Sequence, residues 1–550
     1  MFSMESRIVS SLEKGLVTDR VSDHPELKGI SVLKGERLDF QLIMRSDETG
    51  SGSGKLLFIE VSGAEVKASE VRHVRASLPR YGYDASEEQG LFIRSANDVY
   101  PDIIEPLDAG RRIRLREGVL TSVWFETSFT DPGDHTLIIY INEGNETIAS
   151  RTLAVKVMDE DMPEQSLIFT EWFHNDCLAS YYNVPVFSEE HWMIIENFMR
   201  CAVRHGINCI MTPVVTPPLD TEVGSERPTV QLVGVTVDDG GYGFDFTLLK
   251  RYVDLARACG IRYFEISPLF TQWGAEFAPK VVADVNGEIR RIFGWDTRAT
   301  TGEYPVFLSH FLPAVRAFFE SEGLLGSCRF HVSDEPGREH MENYKKAKSI
   351  VSPYLEGCTV IDALSSVELY QSGIVTTPVP AINRIEPFLK EGIKERWAYY
   401  CCGQWDRVSN RFIAYPAFRN RIIGVQLYKF NISGFLQWGY NFYYSMGSRR
   451  LIDPYIDQSG DLQVPSGDPF SVYPGAGGNP LASTRLAVFY EAIQDYEILK
   501  LCESHIGRER TLGLIEKTAG MDITFTEYPK SAKFILDLRE EINRVLSGLA

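Results

Sequence analysis

No stretch of this chain is apolar for anything near the roughly 20 residues that a membrane-crossing helix requires. The first eighteen residues mix Glu5, Arg7, Glu13 and Lys14 with short apolar pieces, so the apolar core of a secretory leader is missing there and a cytoplasmic address is expected. Basic residues are in deficit: 56 Lys and Arg stand against 75 Asp and Glu, a formal charge of −19. Phosphate backbones and anionic bilayers are held by Lys and Arg, so nucleic acid and membrane are both excluded as main partners. A small neutral or cationic ligand suits such a protein. Cysteine is uninformative by its spacing: the 9 cysteines are odd in number and form no C-x-x-C pair, which speaks against a disulfide framework and against a zinc site. The adjacent Cys401 and Cys402 read as packing. The histidines lack H-E-x-x-H and H-x-x-E-H spacing, so a metallohydrolase is not expected, and no metal is assigned.

What is present changes character along the chain. Residues 1–160 hold short β-branched and aromatic runs at 38–44 (LDFQLIM), 55–61 (KLLFIEV), 122–128 (SVWFETS), 136–141 (TLIIYI) and 151–157, without a convincing helix. This pattern predicts a β-sandwich, with the Asp131-Pro132-Gly133-Asp134 turn joining the Trp124 strand to 136–141 as a hairpin. From 166 to 505 short apolar strands alternate with amphipathic helices. Strands at 166–172, 208–212, 263–267, 328–333, 359–362, 373–377, 397–400 and 434–438 precede helices at 189–205, 248–259, 308–320, 340–354, near 367, 387–395, 417–429 and 486–501. In the helix at 189–205, Trp192, Ile195, Met199 and Val203 share one face. Eight such units close a (β/α)₈ barrel. The rival is an open doubly wound sheet, but no Gly-rich phosphate loop follows any of these strands. The tail at 506–550 reads as helical and packed on the barrel, with Phe534, Leu536, Ile542 and Val545 apolar.

In a barrel the site forms where strands run out into the following loops. Three of these loops are long, 213–245, 268–305 and 439–480, and their aromatic content (Trp273, Trp295, Tyr440, Phe442, Tyr443) suits a site lining. At the end of the fourth strand stands His331-Val332-Ser333-Asp334-Glu335-Pro336. Adjacent strand residues point to opposite faces, so Asp334 and Glu335 share a pocket only if the strand ends or kinks, which the position before a proline favours. Two close carboxyls cannot both ionise freely, so one pKa rises and that group can donate a proton near neutrality. Glycosidic cleavage requires such a pair. The competing reading is that both acids cap the next helix.

The segment 331–336, with EWFHNDC at 171–177 and RLAVFYEAIQDYE at 485–497, resembles glycoside hydrolase family 123. That resemblance implies an N-terminal sandwich, a catalytic (β/α)₈ barrel and β-N-acetylgalactosaminidase activity on a small carbohydrate substrate. It also implies a retaining, substrate-assisted mechanism without metal or organic cofactor, in which the 2-acetamido oxygen attacks the anomeric carbon. Asp334 would then accept the acetamido N–H, and Glu335 would protonate the leaving oxygen and later deprotonate water. Strand-end position adds further substrate-binding candidates. These are Trp172, His174 and Asp176 after the first strand; Tyr399 and Tyr400 after the seventh, one of them toward the pocket and able to hold the acetamido oxygen; Trp438, Tyr440 and Asn441 after the eighth; and Trp273 and Trp295 on the leaving-group side. The alternatives are a glycosidase of another β-linked hexosamine, such as N-acetylglucosamine, and a carbohydrate-binding protein that no longer catalyses.

Overall fold

The structure, a computed structural model, describes residues 3–48, 54–76, 91–93, 98–272, 274–335 and 338–548. The chain folds as a mixed α/β protein, with an N-terminal β-rich region followed by an eight-stranded parallel sheet that nearly closes on itself.

The N-terminal region contains two five-stranded sheets. One comprises Ser3–Ser10, Leu38–Glu48, Thr121–Thr127, Lys67–Arg75 and Val99–Pro106; the other Gly29–Lys34, Glu146–Asp161, Gly133–Glu143, Lys55–Ser62 and Arg112–Leu115. Period-two alternation turns Leu38, Phe40, Leu42 and Met44 into a common core with Leu57, Ile59, Leu137, Ile139 and Ile141 of the second sheet. The opposite face of the first sheet is turned mostly toward the barrel rather than to water. Val71, Val74, Tyr100, Ile103 and Trp124 join the core of the barrel instead, so Thr121–Thr127 is buried almost throughout. The expected hairpin at residues 131–134 is not formed. Thr121–Thr127 and Gly133–Glu143 lie in different sheets, and the Pro-Gly turn carries the chain between them; Gly133–Glu143 pairs instead with Glu146–Asp161.

The eight barrel strands are, in chain order, Ile168–Glu171, Cys209–Thr212, Tyr263–Ile266, Cys328–Phe330, Thr359–Leu364, Thr377–Pro380, Trp397–Tyr399 and Gly434–Gln437. Each of the seven ladder pairs is parallel, and the first strand pairs with both the second and the eighth. The sixth and seventh approach through a bridge between Ala381 and Tyr399, where the Ile382 N–H donates to the Tyr399 carbonyl at 3.0 Å. Helices fill the crossovers. Glu189–Arg204 starts at a Ser188 cap and buries Trp192, Ile195, Phe198, Met199 and Ala202, leaving Val203 half-buried.

Four elements depart from the sequence expectation. The sixth strand is Thr377–Pro380 rather than 373–377, because Pro378 and Pro380 argue against a strand yet sit where no ladder donor is needed. The helix before the fourth strand begins at Glu303 and continues through Pro313. The helix expected at 387–395 is only Glu386–Leu389, and the one at 417–429 breaks into Ala417–Arg421 and Ile423–Lys429. The long loops after the second and third strands are not irregular: Gly241–Asp245, Gly234–Asp238, Val281–Val285 and Glu288–Phe293 form a four-stranded sheet, from which Tyr242 and Phe244 pack against Phe307 and Phe311 of the helix that begins at Glu303.

Helix Thr484–Ile506 ties the regions together. Arg485 donates to both carboxylate oxygens of Asp102 at 2.8 and 2.9 Å, with every participant buried. The C-terminal helix Ala532–Leu546 packs on this helix and also on Gly29–Lys34, where Asn543 Nδ2 donates to the Ser31 carbonyl and Arg539 to Glu36.

Candidate active site

The fourth barrel strand delivers Asp334 and Glu335 to the C-terminal mouth. Its exit is fixed by Asp362 of the fifth strand, whose Oδ1 accepts the N–H groups of Val332 and Ser333 at 2.9 and 3.3 Å. Ser333 Oγ donates to the Thr271 carbonyl. Glu335 then adopts φ +45°, the left-handed region that a non-glycine residue seldom occupies. This turn answers the alternation problem, because it brings two successive side chains into one cleft. Such strained residues cluster at functional sites.

The cleft holds about 130 Å³ of free space and is walled by Trp172, Leu436, Trp438 and Met446, with Asp220, Gln272, Asp334, Glu335, Tyr399, Ala363, Cys401 and Cys402 completing it. None of these residues is basic. Gln272 Nε2 donates to Asp334 Oδ2 at 2.7 Å, while its Oε1 accepts the Asp220 N–H at 2.6 Å. The Tyr399 hydroxyl donates to Glu335 Oε1 at 2.7 Å. Burial pushes the Asp334 carboxyl well above the usual range, with the Glu335 charge reinforcing it, the Gln272 hydrogen bond opposing it and Asp220 adding to it. Burial and the Glu335 charge likewise hold the Tyr399 hydroxyl protonated.

Behind the cleft lies a buried polar layer. Trp172 Nε1 donates to Glu265 Oε1 at 2.8 Å, and the same oxygen lies 2.5 Å from His331 Nε2. Burial disfavours the imidazolium, but contacts with Asp362 (3.7 Å from Nδ1) and Glu265 outweigh it and raise His331 to about 10. A positive charge thus stands beneath Asp334. Trp438 is oriented by its Nε1 bond to Asp468 Oδ2 at 2.9 Å; Gly439 permits this, since a Cβ there would lie 2.4 Å from the Asp468 carbonyl oxygen.

Other predicted residues fall outside the cleft. His174 and Asp176 are buried beside Arg227, which donates to both Asp176 oxygens (2.5 and 2.7 Å) and to His174 Nδ1 (3.2 Å). Burial and that guanidinium lower His174 to about 3, so it stays neutral and gives its Nε2 proton to the Trp438 carbonyl. His174, Asp176 and Cys177 place ligand atoms within 4.8 Å of one another, the spacing of a metal site. Arg227 already supplies a fixed cation to all three. Asn441 brackets the His174 backbone with two hydrogen bonds. The Tyr440 hydroxyl donates to the Phe198 carbonyl in the core. Tyr400, facing away from Tyr399, packs edge-on against Phe435. Trp295 lines a separate shallow depression with Arg291 and Lys280. Trp273 lies outside the described residues.

A family model described as the glycoside hydrolase 123 catalytic domain matches residues 172–502. The chain belongs to glycoside hydrolase family 123. It is therefore a hydrolase of glycosyl bonds. Its structure is similar to that of a family 123 glycoside hydrolase from Clostridium perfringens, studied for glycolipid glycan hydrolysis, with a TM-score of 0.73 over 100% of this chain and 98% of that one; at 15% identity this likeness shows the fold alone. A family 39 glycoside hydrolase from Bacteroides cellulosilyticus WH2 matches at a TM-score of 0.33 and 10% identity, over 85% of this chain and 81% of that one. No curated protein matches the chain. Among the described residues, no helix of this family 123 enzyme is long and apolar enough to cross a membrane.

Sequence reasoning missed Gln272, Asp220 and Met446 at the cleft, and read Cys401 and Cys402 as packing. The amide and the thioether carry no spacing signal. Asp220 lies in a loop expected to line a site, but nothing in its neighbours distinguishes it from a solvated acid.

Proposed function

We propose that this enzyme is a retaining β-N-acetylgalactosaminidase that uses the 2-acetamido group of its substrate as the nucleophile. The observation supporting this reading is the placement of two consecutive carboxyls, Asp334 and Glu335, in one cleft. The acetamido group and the glycosidic oxygen occupy neighbouring ring carbons, and consecutive residues can serve both.

With no basic residue among the described residues that line the cleft, the acids do not all ionise together, and in the free enzyme burial favours the protonated form of Asp334. Substrate reverses this preference. The acetamido N–H donates to Asp334 and favours its anion, with the His331 charge behind it, while the proton resides on Glu335. The acetamido oxygen then bonds to the anomeric carbon as the bond to the leaving oxygen breaks, and that oxygen takes the Glu335 proton. The resulting oxazolinium is balanced by Asp334. Glu335 next removes a proton from water, whose oxygen attacks the anomeric carbon and restores the acetamide. Two inversions retain the configuration. Tyr399 holds Glu335 in place between these roles, and the faces of Trp172 and Trp438 receive the apolar side of the sugar. We read 1–160 as a β-sandwich domain, 166–505 as the catalytic barrel and 506–550 as a helical tail. A glycolipid glycan, named for the Clostridium perfringens relative, is the natural substrate class we infer.

Aryl β-N-acetylgalactosaminide, its gluco epimer and the plain β-galactoside test this proposal. Turnover of the galacto acetamide with none of the plain galactoside is expected. Turnover of the plain galactoside alone would overturn substrate assistance, and faster turnover of the gluco epimer would move the specificity to N-acetylglucosamine.

A further inference from the structure

We propose that Asp220 is a specificity-determining residue that receives hydrogen bonds from the 3- and 4-hydroxyls of the terminal sugar, so that only an unsubstituted chain end is removed. This inference rests on the reading of the site under Proposed function.

Asp220 stands in the loop after the second barrel strand with φ +47°. Two other loops clamp it there. Its N–H donates to Gln272 Oε1 at 2.6 Å, and its carbonyl accepts Ser448 Oγ at 2.7 Å. A left-handed conformation costs stability and persists only when its surroundings impose it. What the clamp achieves is to aim a carboxyl into the cleft. That residue is 8% exposed, and among the described residues its carboxyl accepts no hydrogen bond from the protein. Arg227, the cation that offsets its charge, directs its donors at Asp176, His174, Cys177 and the Leu219 carbonyl.

A largely buried carboxyl that opens only onto the cleft takes its donors from there, from water or from the hydroxyls of a ligand that displaces it. A pyranose presents neighbouring hydroxyls, and the two oxygens of a carboxylate accept from such a pair. Gln272 spans Asp334 and Asp220, so Asp220 sits beside the residue that faces the 2-acetamido group, where the next hydroxyls of the ring are 3 and 4. A sugar, acyl or sulfate substituent at either position would abolish a donor, and a sulfate would also meet three carboxyls.

The test compares kcat/KM of the wild type and of Asp220→Asn on the aryl acetamido sugar and on its 3-deoxy and 4-deoxy analogues. The wild type should lose about 10- to 100-fold for each deleted hydroxyl, the usual effect of removing a hydrogen bond to a charged group. Asp220→Asn should handle parent and deoxy sugars within about threefold of each other, with its melting temperature at or above that of the wild type. Indifference of the wild type to both deletions, or full discrimination retained by Asp220→Asn, would overturn the assignment. If the wild type does not turn over the parent at all, the reading under Proposed function fails. Calorimetric titration of free N-acetylgalactosamine into both proteins then decides the role of Asp220, which equal affinities would refute.

Discussion

Replacing Gln272 by Leu removes the hydrogen bond to Asp334 Oδ2 at 2.7 Å while keeping nearly the same volume. That bond favours the Asp334 anion and opposes burial and the neighbouring acids, which push the carboxyl upward. A hydrogen bond to a charged group is worth about 1.5–3 kcal/mol, and one pH unit corresponds to about 1.4 kcal/mol, so its loss amounts to about 1–2 units. The direction follows from the mechanism. In the proposed mechanism Asp334 is anionic when the oxazolinium forms, so protonation switches activity off, and removing a donor makes protonation easier. The acid limb of the kcat/KM profile on an aryl acetamido sugar should therefore move to higher pH by about 1–2 units, with a smaller effect on the alkaline side. The variant should also lose some stability, since the Asp220 N–H loses its acceptor. An acid limb that stays in place or moves to lower pH would refute the claim that the Asp334 anion carries the first step.

Asp334→Asn should inactivate the enzyme and raise its melting temperature at pH 7. The folded carboxyl is raised, so its contribution to stability is complete below the unfolded value and is lost as pH rises through the folded one; the variant escapes that loss, and the two melting curves should converge toward acid pH. Glu335→Gln should cost about 10²- to 10⁴-fold on substrates with poor leaving groups and far less on activated aryl glycosides, read from kcat/KM against leaving-group acidity. Arg227→Met strands the buried Asp176 and should destabilise the fold by about 3–5 kcal/mol in denaturant titration, with much of this recovered by adding Asp176→Asn.

The barrel was legible because its strands are short apolar runs spaced by amphipathic helices, and the mouth followed from the rule that sites lie at strand ends. That rule located Asp334, Glu335, Tyr399, Trp172 and Trp438, all of which line the cleft. It also selected His174, Asp176, Tyr440 and Asn441, because strand-end position carries no direction. Only the Arg227 contacts, made from another loop, reveal that His174 and Asp176 face a buried cation. The turn at 131–134 misled for a similar reason: Pro-Gly specifies a reversal, not the sheet in which the next strand pairs. The sheet formed by 234–245 and 281–293 is two hairpins turning at Asp239-Gly240 and Asn286-Gly287, which are local signals; only the pairing of one hairpin with the other leaves no local pattern. Gln272 and Asp220 acquire their significance only through each other and through Asp334.

The central claim is that the substrate's own acetamido oxygen attacks the anomeric carbon while Asp334 and Glu335 attend the same ring. Its most direct test is kcat/KM for aryl glycosides whose N-acetyl group carries zero, one, two or three fluorines. Each fluorine weakens the carbonyl as a nucleophile, so the account predicts a steep, monotonic fall across the series. A flat series would contradict it and place the nucleophile on the protein or on water.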